Sequence, residues 1–538
     1  MLDQRLQALD RLIAESKLQE AVAWGEQLCR DHADCLPAQL SLSEAYRQQG
    51  RFQAAREHAA SAHDLNPDDE FARAQYARTL IPFADHQQIM LLLEQQRQRQ
   101  HVKPNEWSDD MMAVAAASID EWQLALLFYE RLLKNQPRLL NALYMRGVAL
   151  SVLGRRSEAI AAFRLLLDWY PDYGRAWWSL ADLDPDAVDE KKVIDLLRDT
   201  NLADAEKLYL WQVLGQLQQR KTAYPDAFIS WENSNKIKKL MQPYHGDRWE
   251  KLVSSLLDYA QQFATVSADA SAGHSCVAGG KASESPIFIV GLPRSGSTLV
   301  EQMISNSGAV QALGELRDIE VLLQQALGID PLPLPFDVPS LELFSATSGS
   351  FAEGYINRAR SRCAGGRFSD KNPYNFLFLD VILRAFKNAR IIHVYKHPLD
   401  ACLGAFKHQF AAAAPWSYSL TDIAQFYELY HRVMCTWQRL YPGRICHVSY
   451  EALMQNTEQE SRRLFEYCDL QWSEQVMNLK SSSRAVLSAS ANQVREGVHT
   501  RALFTHKNFE VQLQPFSQAL LSKGLQPDRI WPFEVQHD

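Results

Sequence analysis

The stretch PIFIVGLPRSGSTLVEQMI, residues 286–304, decides the fold of the second half of this sequence. A short apolar run, PIFIV, enters the loop GLPRSGST, which is followed by an amphipathic segment with helical spacing. A strand that feeds a glycine-containing loop and then a helix N-terminus presents backbone N–H groups and the positive end of the helix macrodipole to one point. The stretch therefore predicts an anion-binding loop at the edge of an α/β sheet.

Two later apolar segments extend the predicted sheet. They are ARIIHVYK at 389–396 and GRICHVSY at 443–450, and helical patterns separate them from each other and from the first strand. Alternation of short strands with helices is typical of a parallel sheet with helices on its faces. We therefore expect a P-loop-like α/β domain over residues 286–538.

The first half of the sequence has a helical pattern with a repeat. Prolines recur at intervals of 37, 33 and 34 residues, at Pro67, Pro104, Pro137 and Pro171. A period of ~34 residues is that of helix-turn-helix units, each of which needs a neighbour to cover its apolar face. Glycines lie 17 residues before two of these prolines, and alanines lie 12 residues before the same two, at Gly50, Gly154, Ala55 and Ala159.

With an aromatic or small residue at the matching positions Tyr46, Gly147 and Phe163, this half resembles the tetratricopeptide repeat family. The resemblance implies an α-helical solenoid over residues 1–262 that binds a protein or peptide partner. A non-repeating helical bundle is the alternative. Residues 263–285 are rich in Ala, Ser and Gly, which predicts a linker between this region and the α/β domain.

Bulk composition narrows the classes of function. The 538 residues carry a formal net charge of −8, so any anion site is a local basic pocket and not a basic face for nucleic acid. The eight cysteines include no C-x-x-C pair, and we expect no metal site. The N-terminal segment lacks the apolar core of a signal peptide, and no apolar run approaches membrane-spanning length, so we expect a cytoplasmic protein without a membrane span.

The anion-binding loop has the glycine spacing of a nucleotide-binding P-loop with one change. Ser297 stands where the lysine that reaches the β- and γ-phosphates would be, and a cation appears earlier, at Arg294. This favours a ligand with fewer phosphates than ATP and no metal requirement. The loop resembles that of the sulfotransferase family, P-[RK]-S-G-[ST]-T, which implies that the 5′-phosphosulfate of 3′-phosphoadenosine-5′-phosphosulfate (PAPS) contacts Pro293, Arg294, Ser295, Gly296, Ser297 and Thr298.

The resemblance continues through SDKNPYNFLFLDVILRAFKNARIIHVYKHPLDACLGAF at 369–406. The family binds the 3′-phosphate of PAPS with a cation at a strand end and a serine eight residues later. These positions are Lys396 and Gly404 here, so the bidentate arginine fork and the hydroxyl are both lost. His397 is a candidate for added positive charge near the phosphate, or else a structural histidine.

A third matching segment, SRAVLSASANQVREGV at 483–498, is similar to the family loop that closes over the nucleotide. The resemblance implies cofactor contacts from Ser490, Gln493 and Arg495. The family sequence that normally follows is replaced by THKNF at 505–509.

Catalysis of sulfuryl transfer needs cations at the leaving oxygen and a base for the acceptor hydroxyl. Arg294 and Lys371 are the candidate cations, and Lys371 aligns with the catalytic lysine of the family. The segment ALGELRD at 312–318 resembles the tyrosylprotein sulfotransferase branch, which implies that Glu315 is the base.

Three functions remain open at this point. An active PAPS-dependent sulfotransferase is favoured by Arg294, Lys371 and Glu315 together. A degenerate sulfotransferase fold that serves as a binding scaffold is favoured by the changes at Gly404 and Tyr395. A P-loop kinase is opposed by Ser297. Peptide tyrosine, a saccharide and a small metabolite are all candidate acceptors, because fold resemblance does not select among them.

Overall fold

The computed structural model describes residues 2–98, 106–269, 285–337, 342–363, 365–410, 414–478 and 503–528. The chain forms two compact units, Met1–Ala162 with Val321–Leu332, and Phe163–Glu320 with Pro333–Asp538. The helices that precede the first strand are α1 (Leu2–Ala14), α2 (Leu18–Asp31), α3 (Leu36–Gln48), α4 (Phe52–Leu65), α5 (Glu70–Leu80), α6 (His86–Gln98), α7 (Glu106–Ser118), α8 (Trp122–Asn135), α9 (Leu140–Val152), α10 (Arg156–Trp169), α11 (Gly174–Leu183), α12 (Glu190–Arg198), α13 (Asp204–Arg220), α14 (Tyr224–Met241) and α15 (Gly246–Asp269).

The turns inside the first unit repeat in detail, as the glycine spacing predicts. Gly50 and Gly154 both have a φ of 76°, a left-handed conformation that ends a helix at little cost only for glycine. After Gly50, the backbone N–H of Arg51 donates to the carbonyl of Tyr46 at 3.0 Å, and the matching bond after Gly154 is 2.9 Å. Each glycine therefore terminates the first helix of a helical pair.

The small residues predicted for the helix crossings are buried. Ala55 and Ala159 are both fully buried, and the Ser43 hydroxyl donates to the Ala55 carbonyl at 2.8 Å across the crossing of α3 and α4. A larger side chain at either alanine would push two helices apart. The helical half of the fold prediction is confirmed.

The second unit contains a five-stranded sheet in the order β2-β3-β1-β4-β5, and every neighbouring pair is parallel. The strands are β1 (Ile287–Gly291), β2 (Val310–Ala312), β3 (Arg367–Asp370), β4 (Arg390–Tyr395) and β5 (Ile445–Ser449). All residues of the central strand β1 are buried, as expected when helices cover both faces. β1, β4 and β5 match the predicted strands, whereas β2 and β3 are too short to leave a pattern in the sequence.

Helices connect and flank these strands. They are α16 (Ser297–Ser305), α17 (Asp318–Ala326), α18 (Glu342–Arg360), α19 (Leu379–Ala385), α20 (Pro398–Phe406), α21 (Leu420–Leu440), α22 (Tyr450–Gln455), α23 (Thr457–Tyr467) and α24 (Glu510–Ser522). Within the described ranges, no helix is long and apolar enough to cross a membrane.

The second unit also includes helices from the N-terminal half of the chain. The Asn235 amide on α14 donates to the Phe406 carbonyl at 2.7 Å, and the ring of Phe228 stacks on that of Phe406 with 4.9 Å between centroids. Helix α14 therefore packs directly against α20, which follows β4. The domain limits 1–262, 263–285 and 286–538 stay predictions.

The direction of the strands decides where the candidate site lies. Because all five strands are parallel, their carboxyl ends meet at one edge. The anion-binding loop follows β1, Glu315 follows β2, Lys371 follows β3 and Lys396 follows β4. The connection from β1 runs to β2 on one side of the sheet, and the connection from β3 runs to β4 on the other side of β1. Such a reversal of strand order makes this edge the usual place for a ligand in an open α/β fold.

Candidate active site

Close backbone approaches shape the anion-binding loop, residues 291–298. A Cβ on Gly291, whose φ is 151°, would lie 2.2 Å from the Val394 carbonyl oxygen on β4. A Cβ on Gly296, whose φ is 101°, would lie 2.4 Å from the ring of Tyr450. Arg294 between them has a φ of 71°. Only glycine fits at 291 and 296, so these two residues let the loop curl tightly before α16.

The donors of the loop suit an anion. Ser297 and Thr298 are buried in the first turn of α16, and Pro293 and Arg294 are partly exposed. The Ser295 hydroxyl is buried and has no hydrogen-bond partner among the described residues. A buried hydroxyl of this kind, beside the N-terminus of a nine-residue helix, fits a phosphate or sulfate oxygen.

Glu315 and Lys371 lie together at the carboxyl ends of β2 and β3. The Lys371 ammonium donates to Glu315 Oε1 at 2.5 Å; the lysine side chain is 3% exposed and the glutamate 49%. The Asn372 amide donates to the Leu316 carbonyl at 2.8 Å and so fastens the two loops to each other. The pair therefore has a buried cation and a carboxylate that reaches solvent.

A second carboxylate, that of Glu301, adds negative charge near Lys371. Glu301 on α16 accepts hydrogen bonds from the backbone N–H of Gly314 at 3.1 Å and from the Ser369 hydroxyl at 3.2 Å. Burial lowers the pKa of Lys371, but the charges of Glu315 and Glu301 raise it more, and the resulting pKa lies above the usual lysine value. Lys371 is therefore a firmly protonated cation at neutral pH.

The residue before the lysine belongs to a buried network. Asp370 accepts hydrogen bonds from the Tyr355 hydroxyl at 2.9 Å and from the Asn375 amide at 3.1 Å. Burial raises the pKa of the Asp370 carboxyl to about 8. The network fixes the end of β3 and so holds the backbone that carries Lys371.

The residues predicted for the 3′-phosphate lie beside the same loop. The Lys396 ammonium is 4.8 Å from the centroid of the Tyr450 ring, a cation–π contact, and burial lowers its pKa. Gly404 faces the anion-binding loop, because a Cβ at this position would meet Arg294 Cβ at 3.5 Å. The fold thus brings Arg294, Lys396 and Gly404 into one region.

His397 does not supply the positive charge considered for it. Its ring nitrogen accepts the N–H of Leu399 at 3.3 Å at the start of α20, and its ring stacks on His506 with 4.3 Å between centroids. Burial, together with the neighbouring His506, lowers the pKa of His397 to about 4. The histidine is therefore neutral at pH 7 and serves as a helix cap.

The segment THKNF, residues 505–509, is hydrogen-bonded to α20. Asp400 accepts hydrogen bonds from the Thr505 hydroxyl at 3.0 Å and from the backbone N–H of His506 at 2.8 Å. Burial alone would raise the pKa of Asp400, but these bonds from His506 and the charge of Lys396 lower it to about 2. Asp400 is therefore an ionised anchor for the segment that follows residue 502.

Two residues of the site were not predicted from the sequence. Glu301 and Tyr450 were missed, although Tyr450 directly follows β5 and the rule of parallel carboxyl ends points to it. Ser490, Gln493 and Arg495 lie outside the described residues. Among the residues that are described, no group of three or more His, Cys, Asp and Glu side chains is arranged to hold a metal ion.

These features define an α/β protein with a glycine-containing loop and a lysine–glutamate pair at the carboxyl edge of a parallel sheet. Residues 286–474 match the model of the Sulfotransferase family, and residues 36–79 and 140–173 match models of the Tetratricopeptide repeat. The chain therefore contains a domain that matches the Sulfotransferase family together with segments that match tetratricopeptide repeats.

Two curated relatives match parts of the chain. An uncharacterised protein of Aquifex aeolicus (strain VF5) is 31% identical over 251 residues, which make up 45% of this chain and 33% of that protein. A Caenorhabditis briggsae protein provisionally named protein-tyrosine sulfotransferase is 25% identical over 228 residues, 41% of this chain and 80% of that protein. The matched region thus spans about a third of the first relative's length.

Solved structures resemble each half of the chain. The sulfotransferase domain of the Synechococcus PCC 7002 olefin synthase is 16% identical, with a TM-score of 0.33, and the match covers 45% of this chain and 96% of that domain. YrrB, a tetratricopeptide repeat protein with an unusual peptide-binding site, is 16% identical, with a TM-score of 0.27, and the match covers 32% of this chain and 88% of that one.

Proposed function

We propose that this protein transfers the sulfuryl group of PAPS to an acceptor hydroxyl. The observation that carries the proposal is the contact between Lys371 and Glu315 beside the anion-binding loop. The proposal is supported by a permanent cation and a solvent-accessible carboxylate that follow strands on the same edge of the sheet as the loop. Sulfuryl transfer requires this combination of a cation for the departing oxygen and a base for the attacking one.

Each group at the site has a separate role in the proposed reaction. PAPS supplies an activated sulfuryl group, and the loop N–H groups, Ser295 and Arg294 bind its anionic oxygens. The acceptor oxygen forms a bond to sulfur while the bond from sulfur to the bridging oxygen breaks and adenosine 3′,5′-bisphosphate leaves. Glu315 takes the acceptor proton, and Lys371 stabilises the negative charge that develops on the bridging oxygen.

The identity of the donor rests on two features of the sequence at this site. Ser297 replaces the lysine used for triphosphates, and Lys396 supplies a cation at a strand end beside the loop. We expect adenosine 3′,5′-bisphosphate to bind without Mg²⁺ and more tightly than ATP. Isothermal titration calorimetry of the full chain tests this, and tighter binding of ATP that appears only with Mg²⁺ would contradict the proposal.

Replacement of Glu315 by Gln separates binding from catalysis. Turnover should fall by roughly 10²-fold or more because the general base is lost, while bisphosphate affinity stays within about twofold. Glu466→Gln, an exposed glutamate on α23, is the matched control and should leave both unchanged. Full activity of Glu315→Gln on an identified acceptor would remove Glu315 from the mechanism.

The proposal also covers the partner of the repeats and the acceptor of the sulfuryl group. We propose that the tetratricopeptide repeats bind a protein or peptide, and that the acceptor is a peptide tyrosine, a saccharide or a metabolite. Mass spectrometry of cell extracts with and without the protein, tracking the addition of one sulfate, identifies the acceptor. A wild-type protein that binds the nucleotide but sulfates no acceptor would favour the alternative of a binding scaffold.

A further inference from the structure

Lys407 is a partly buried cation that the mechanism above does not use. It directly follows α20, and its backbone N–H donates to the Leu403 carbonyl at 3.1 Å, so it continues the last helical turn. Since it lies three residues after Gly404, both project from the same face of the helix. Gly404 on that face approaches Arg294 of the anion-binding loop. Lys407 therefore lies one turn beyond the position where the family's serine is missing.

A tryptophan on α14 contacts this lysine. The Lys407 ammonium is 5.8 Å from the centroid of the Trp231 ring on α14, and Trp231 is 2% exposed. Gly215 on α13 makes room for that ring, because a Cβ there would lie 2.4 Å from Trp231 Nε1. Phe509 packs against the other side, with 5.6 Å between centroids. The indole is therefore fixed, and it supports the ammonium without neutralising it.

Lys407 lies among charges of both signs, since Asp182 acts to raise the pKa of Arg294, and Asp400 and Glu451 act to raise that of Lys396. Burial is the main reason that the pKa of Lys407 is lowered to about 8, and the charges of Arg294 and Lys396 lower it further. The charge of Asp400 acts in the opposite direction and raises it. Asp400 is already bonded to the 505–506 segment. Burial, followed by the charge of Arg294, lowers the pKa of His408 to about 3, which makes that ring neutral. Within the described residues no carboxylate forms an ion pair with Lys407.

We propose that the Lys407 ammonium binds the 3′-phosphate of the donor nucleotide and compensates for the hydroxyl that Gly404 lacks. The inference rests on the proposed function, since it assigns a contact to the same donor. Among the described residues Lys407 has no carboxylate partner, and it lies near the charges of Arg294 and Lys396, so a dianion would stabilise it. The 3′-phosphate is the dianion that distinguishes the donor nucleotide from adenosine 5′-phosphate. Helices α13 and α14 thereby become part of the donor site, because they position Trp231.

Two nucleotides that differ only in the 3′-phosphate test the proposal. Lys407→Met should weaken binding of adenosine 3′,5′-bisphosphate by ~10-fold or more, the worth of a charge-assisted hydrogen bond, and change binding of adenosine 5′-phosphate by less than about twofold. Lys407→Arg should retain most of the discrimination because it keeps the charge. An equal loss for both nucleotides, or no loss for either, would overturn the assignment.

A measurement on the wild-type chain avoids any question of folding. Acetylation of lysines by acetic anhydride, followed by peptide mass spectrometry, should show Lys407 protected by the bisphosphate and not by adenosine 5′-phosphate. Protection by an acceptor alone would assign Lys407 to the acceptor and contradict the proposal. If the wild type binds the bisphosphate no better than adenosine 5′-phosphate, the proposed function fails; if it discriminates but Lys407 is neither protected nor needed, only this inference fails.

Discussion

The two ends of the candidate site are built differently. At the loop end, Lys371 and Glu315 are in direct contact at 2.5 Å, and buried hydrogen bonds hold the strand ends that carry them. At the α20 end, Lys396 and Lys407 lie over aromatic rings at 4.8 and 5.8 Å. Chemistry needs fixed geometry, whereas binding of a phosphate needs mainly charge. The difference predicts that substitutions at the loop end affect turnover and those at the α20 end affect affinity.

Lys371→Ala should have the largest effect. Loss of the cation at the leaving oxygen should lower turnover by ~10²- to 10³-fold, as removal of a preorganised charge stabiliser does, with a smaller loss of nucleotide affinity. Steady-state kinetics measures the turnover number, and calorimetry on the same preparation measures the nucleotide affinity. A variant that loses affinity but keeps its turnover number at saturation would break the proposed division between the two ends.

Arg294→Ala should weaken nucleotide binding by roughly 10- to 100-fold, because the variant removes a charge from the anion-binding loop itself. The loss should be similar for adenosine 3′,5′-bisphosphate and adenosine 5′-phosphate if Arg294 binds the 5′ group. Calorimetry with both nucleotides measures this. A loss confined to the bisphosphate would move Arg294 to the 3′ end.

The α20 end should respond to pH. Since the pKa of Lys407 is lowered to about 8, its charge is present below that pH and is lost as the pH rises. Affinity for the bisphosphate should therefore fall by about 10-fold between pH 7 and pH 9.5, while Lys407→Arg keeps its affinity over this range. Identical pH profiles for the two proteins would show that another group titrates.

Gly404→Ser should have the smallest effect, and it should be favourable. The position lies inside α20, and a Cβ there meets only Arg294 Cβ at 3.5 Å, an ordinary van der Waals contact. A serine hydroxyl should tighten bisphosphate binding by about 0.5–1.5 kcal/mol, the net value of one hydrogen bond. Gly404→Ala is the control without a hydroxyl. Equal affinities of the serine and alanine variants would mean that the hydroxyl does not reach the phosphate.

Much of the site followed from local sequence. The strand, loop and helix at 286–304 and the repeat turns at Gly50 and Gly154 depend on periodicity and on glycine's access to positive φ, which neighbouring residues alone determine. The cations Lys371 and Lys396 were predicted from the resemblance to the sulfotransferase family. Strands β2 and β3 did not follow, because three or four residues carry too little pattern to distinguish a strand from a loop.

Tertiary structure decided which of these groups act together. Sheet order places Glu315 against Lys371, 56 residues away in the sequence. Burial, together with the stack on His506, makes His397 a neutral cap, although its sequence position was compatible with a phosphate contact or a structural role. Trp231, from the helical half, holds Lys407 beside the loop. The sequence by itself determined which chemical groups are present and which local elements carry them; long-range packing determined their distances, burial and charge, because these depend on residues that are far apart in the chain.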